Sequence, residues 1–236
     1  MCPATAASTG PQRCRSAAHH GTLHGARPLR SVEQGFPMRQ FEVIQSGIEC
    51  SGTCIQAIYD GFGPFKSSVS RLLLAEGLGT KGPDGLVVFD PKGWYPLEKE
   101  LRAWKRTINE VGQDTLYISG TRIPSHVELP PIIVDIHSAM QSIDVGYHLT
   151  HRKNGRVMFD VATGKMLEGI GHWTCKGSPA DRRLAITAPG PYPCDYNRGI
   201  ATGFAQLFEK LARVVVDNTQ PNLKTGGETS TYIVTW

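Results

Sequence analysis

The apolar residues of this chain change their spacing once, and that change limits the folds open to it. Up to about residue 151 they recur at helical intervals; beyond it they alternate as strands do, apart from one late helix. The clearest helix is the stripe Leu97, Leu101, Trp104, Ile108 and Val111, which Gly112 ends. Residues 51–62 predict a second, stopped by Gly61, Gly63 and Pro64, and residues 67–78 a third. Residues 86–89 are short and extended. Pro130 and Pro131 open a further helix, because proline in a first turn costs little. Its buried face is predicted as Ile132, Ile136, Met140, Ile143 and Tyr147, and its other side carries His137, Gln141, Asp144, His148 and His151.

Residues 156–161, 164–176 and 182–188 then predict β segments separated by Gly and Pro. A last helix starts near Asp195, with Tyr196, Ile200, Phe204, Leu207 and Leu211 on one face and Gly199 and Gly203 four apart. A helical glycine costs about 1 kcal/mol relative to alanine. That cost is accepted where a backbone or a ligand comes close. Residues 214–218 and 229–236 follow as two strands joined through Gly226 and Gly227. Helices first and strands later predict an α+β fold: a helical N-terminal half packed on an antiparallel sheet, with a late C-terminal helix.

The net charge of +4 is unevenly placed. Residues 1–37 hold Arg13, Arg15, Arg27 and Arg30 against Glu33 alone, so the remainder is nearly neutral. A neutral body offers no phosphate-tracking surface, and no nucleic-acid partner is expected. No apolar run approaches the roughly 18 residues of a membrane span, so no membrane partner is expected either. Residues 1–37 lack periodicity and read as a disordered basic extension or as a product of start-site choice. The second is favoured, since Met38 opens the first patterned segment and no amphipathic Arg-bearing helix precedes it. Residues 38–236 then form a single ligand-binding domain. Six cysteines without a secretory segment read as the reduced thiols of a cytoplasmic protein.

The tail carries a resemblance. Cys194, Gly199, Gly203 and Phe204 on the last helix, a hydrophobic strand, Gly226-Gly227-Glu228 and the closing Tyr232–Trp236 segment resemble the 4-vinyl-reductase domain. That domain is distantly similar in fold to haem-nitric-oxide-binding domains and to vesicle-tethering TRAPP subunits. The resemblance implies a pocket for a small, largely apolar or aromatic ligand, and a homodimer. The aromatic-sensing branch of the family holds a structural zinc. Cys194 and Asp217 match two of its ligands, but Gln220 and residues 228–230 stand where the two late cysteines belong, so zinc is not carried over. In that branch a tryptophan and a histidine hydrogen-bond the ligand. Trp173 matches the first, and His148 and His151 stand as counterparts of the second.

The expected site is therefore Tyr147, His148, His151, Trp173 and Phe204 around a sensor-type ligand. The alternative is haem, in a gas sensor or a haem-dependent enzyme, with His148, His151 or His172 as axial ligand. A scaffold with a filled core is a third reading. The run Tyr117-Ile118-Ser119-Gly120-Thr121-Arg122 resembles a propionate-gripping Tyr-x-Ser-x-Arg motif, with the arginine one position late. No nucleophile elbow, phosphate loop or nucleotide fingerprint occurs, so no reaction is assigned.

Overall fold

Ser51 closes strand β1 (Ile48–Ser51) and caps helix α1 (Gly52–Gly61), its hydroxyl accepting the amide of Cys54 at 3.3 Å. The computed structural model describes residues 39–236; the reading of residues 1–37, with Cys2 and Cys14, lies outside the described residues. Helix α2 (Lys66–Ala75) follows, then a small hairpin of β2 (Thr80–Lys81) and β3 (Val87–Val88). Strand β4 (Trp94–Pro96) leads into α3 (Leu97–Val111), whose stripe of Leu97, Leu101 and Trp104 is buried as the spacing predicts. Helix α4 (Asp114–Arg122) has no counterpart in the sequence reading; its nine residues are too few to show a period.

Helix α5 (Ile136–Leu149) starts later than Pro130 suggests. Asp135 and Ser138 form a reciprocal capping box, with the Ser138 amide donating to Asp135 Oδ1 at 2.7 Å. Residues 130–135 stay irregular, and Ile132 is 81% exposed instead of lying on a buried helix face. Strands β5 (His151–Lys153), β6 (Arg156–Val157), β7 (Phe159–Asp160) and β8 (Lys165–Met166) come next. The segment expected as one strand over 164–176 is split, because Gly169 and Gly171 take positive φ and turn the chain. Its far end becomes β9 (Thr174–Ser178).

The molecule closes with β10 (Arg183–Pro189), α6 (Cys194–Phe208), β11 (Arg213–Val216) and β12 (Thr229–Thr235). One four-stranded sheet runs β4-β1-β5-β6, another runs β11-β12-β10-β9, and every pairing is antiparallel. The mixed α+β class is as the spacing predicts, with two such sheets in place of one. Two corrections fall on α6. Leu207 is half exposed, and Leu211 lies beyond the helix end and is 87% exposed.

The two helical glycines face a backbone. A Cβ on Gly199 would sit 2.3 Å from the Tyr117 carbonyl oxygen, and one on Gly203 would sit 2.5 Å from that of Thr121. Helices α4 and α6 thus cross main chain against main chain. Two apolar clusters result. One joins α1, α2 and α3 around Trp104, and the other joins α5, α6 and the C-terminal sheet around Tyr232. Tyr147, Ile123 and Ile200 pack against both.

Candidate functional site

At the junction of the two clusters lies a cavity of about 660 Å³. Helix α1 contributes Cys54 and Ile58, residues 123–133 pass over it, and α5 supplies Ile143, Gly146 and Tyr147. Ile200 and Phe204 of α6 and the ring of Trp173 complete the apolar walls. The volume is within the roughly 300–1,000 Å³ range of small-molecule pockets. No lysine or arginine is on the wall among the described residues.

The polar end is built from His151, Tyr192 and the turn that ends α5. His151 Nδ1 lies 2.7 Å from the Tyr147 carbonyl oxygen, so this nitrogen carries the proton and donates. Nε2 is then an acceptor, and the Tyr192 hydroxyl donates to it at 2.8 Å. Burial pushes the His151 imidazole down to about 4, which keeps it neutral. Burial likewise pushes the Tyr192 and Tyr147 phenols up, and both remain protonated. The Tyr192 oxygen, its O–H directed at His151, keeps lone pairs that accept. The Trp173 indole N–H makes no hydrogen bond among the described residues, so the wall also carries a donor.

Beneath the wall sits a buried acid. Glu100 of α3 is wholly buried and neither carboxylate oxygen has a hydrogen-bond partner. Burial first, and then negative charge on Cys54, hold its carboxyl well above the ordinary range. A hydrogen bond from Cys50 lowers the Cys54 thiol, while burial raises Cys50. Cys54 is the member of this cluster that reaches the cavity.

Of the residues expected at the site, Tyr147, His151, Trp173 and Phe204 line the cavity. His148 does not. It follows Tyr147 by one residue, about 100° around the helix, and turns instead to Asp144 and His172. His172 is likewise off the wall, against Asp144 and Glu168. The run from Tyr117 is helical and does not reach the cavity. Ser119 donates to the Ile58 carbonyl and Arg122 to that of Gly61. Cys194 is buried and accepts from Tyr232, and Asp217 accepts from Thr219. Sequence reasoning misses Tyr192 and Glu100. The Pro191-Tyr192-Pro193 run is the one visible sign of the first, since it holds the tyrosine rigidly ahead of α6.

Haem needs an axial ligand and partners for two propionates. The imidazoles on the wall are His151, both of whose nitrogens are engaged, and His126, exposed at the mouth. With no lysine or arginine there to meet the propionates, the described residues as arranged do not fit haem.

No protein-family model matches the chain, and no curated protein matches it. Solved structures do. An oxygen-binding H-NOX domain related to soluble guanylate cyclases, in its oxygen complex, is 15% identical; the match covers 78% of this chain and 94% of that one, with a TM-score of 0.52. The Fe(II) unliganded H-NOX protein from K. algicida is 12% identical over 78% of this chain and 95% of that one, with a TM-score of 0.52. A single-site mutant of the T. tengcongensis H-NOX is 15% identical, covering 78% and 96%, with a TM-score of 0.53. At such identity the likeness is one of fold.

Proposed function

We infer that this chain is a sensor-type small-molecule-binding protein, built on an H-NOX-like fold, that encloses an uncharged, largely apolar ligand with a phenol-like end. The single observation behind this reading is the cavity wall. It is largely apolar, free of lysine and arginine among the described residues, and ends in the His151–Tyr192 pair. An accepting Tyr192 oxygen and a donating Trp173 indole suit a hydroxyl or phenol, which both donates and accepts. A carboxylate would lie there without a cation to meet it. The finer assignment to the 4-vinyl-reductase type draws on the Cys194-to-Phe204 helix and its following strands. A cytoplasmic homodimer belongs to the same reading. Among the described residues no helix is long and apolar enough to cross a membrane.

The haem alternative has its own support. The solved structures similar in fold include haem proteins, which backs haem more directly than it backs any other ligand. The wall chemistry points the other way. The protein as purified decides between them by its visible spectrum and native mass. The expected result is no Soret band, a co-purifying neutral organic mass, and loss of that mass in Trp173→Ala and Tyr192→Phe. A Soret band with a bound porphyrin mass would sink the first reading and establish the second.

A further inference from the structure

Asp144 gathers three groups on the side of α5 turned away from the cavity. Its main-chain carbonyl faces His148 Nδ1 at 2.8 Å, and its Oδ1 lies 3.4 Å from the same nitrogen. Oδ2 meets His172 Nδ1 at 3.0 Å, and Oδ1 accepts the Trp173 amide at 2.9 Å. The two imidazoles stack with centroids 4.7 Å apart and planes 21° from parallel. Glu168 Oε1 lies 3.2 Å from His172 Nε2, at the surface. Asp144, His148 and His172 each offer a ligand atom within 4.8 Å of the other two.

An ion-pair network accounts for His172, which lies between two carboxylates. It leaves His148 unexplained. Bonding to a carbonyl of its own helix fixes the His148 proton on Nδ1, so Nε2 is a bare lone pair. That atom is fully buried and has no hydrogen-bond partner. Leaving such an acceptor unmade is a cost to the fold. An imidazole with one nitrogen pinned to a backbone carbonyl and the other open is the state in which metal-ligating histidines are held. Two imidazoles and a carboxylate are too rich in nitrogen for Mg²⁺ or Ca²⁺ and match the divalent first-row ions.

We propose that Asp144, His148 and His172 bind a divalent transition-metal ion of the Zn²⁺ or Fe²⁺ class, with Glu168 holding His172 by its other ring nitrogen. This site is separate from the cavity and does not depend on the identity of the cavity's ligand. The two share one wall, because the Trp173 amide rests on Asp144 while its ring lines the cavity.

The test uses the full chain stripped with a chelator and then dialysed against Zn²⁺ or Co²⁺. The wild type should retain one ion per chain, show the visible d–d bands of Co²⁺ bound by nitrogen and oxygen, and melt at a higher temperature with the ion than without it. His172 is partly exposed, so His172→Gln should fold, and its stripped form should match the wild type in circular dichroism and melting. Its ion affinity should fall at least tenfold, as should that of Asp144→Asn. His126→Gln, at the cavity mouth, should bind as the wild type does. Failure of the wild type to retain an ion, or wild-type affinity in either His172→Gln or Asp144→Asn, overturns the proposal.

Discussion

Glu100 shows how one side chain can set the pH response of the whole chain. Its carboxyl, pushed up by burial, holds its proton in the folded protein at pH values where the unfolded chain has released it. Between about pH 4.5 and the raised folded value the native state binds more protons, so stability falls as pH rises through that window. Glu100→Gln removes the ionisation while keeping the shape. The variant should melt several degrees above the wild type at pH 8, with the gain vanishing near pH 4, as followed by thermal unfolding across pH. A gain independent of pH would mean that the carboxyl is not the cause. None of this is legible in the sequence, where Glu100 lies beside the apolar stripe of α3 and looks like a surface charge. Its burial depends on Cys50 and Cys54, which come from another strand and helix. Tyr147 and His151 line one cavity although the sequence reading sets them on opposite sides of the predicted helix, because α5 ends at Leu149 and His151 opens β5. His148 groups with His151 by position along the chain, but the rotation between residues 147 and 148 carries it to another side of α5.

Glycine spacing is the best guide among the elements. The pair Gly199 and Gly203 implies a close approach, and the structure supplies the partner, the carbonyls of α4. The partner helix itself cannot be read, since its nine residues are punctuated by Gly120 and run straight into a 3-10 turn at Ile123–His126. Gly199→Ala would press a methyl group into the Tyr117 carbonyl, and the α4–α6 crossing has no flexible side chain there to yield. The expected loss is about 3 kcal/mol, measured by chemical denaturation. Gly146 of α5 is the counter-case. A Cβ there meets nothing within 4 Å and projects from the cavity wall. Gly146→Ala should gain about 0.5–1 kcal/mol while weakening retention of the cavity's ligand. Equal stability changes in the two variants would contradict the crossing geometry. The strand segments of the C-terminal half are also visible. Alternation and Gly breaks place β10, β11 and β12 nearly where they lie, but the split of residues 164–176 depends on two turns at positive φ that alternation does not encode.

For the molecule as a whole, the cavity exists because two apolar clusters meet without merging. Tyr147, Ile123 and Ile200 belong partly to both and form the seam. Such a seam is invisible to local spacing, since each cluster is satisfied by its own periodic residues. The fold is shared with H-NOX structures at 12–15% identity, so the walls are free to differ in chemistry while the framework persists.

Trp173 connects the two candidate sites: its main chain rests on Asp144 and its ring on the cavity. That makes the residue a thermodynamic hinge. If an ion at Asp144 changes the affinity of the cavity's ligand by some factor, the ligand must change the ion's affinity by the same factor. Titration calorimetry of each in the presence and absence of the other should return one shared coupling factor, on the order of 5-fold or more. Two independent affinities would mean that this chain carries two separate binding sites, with occupancy of one never reported at the other.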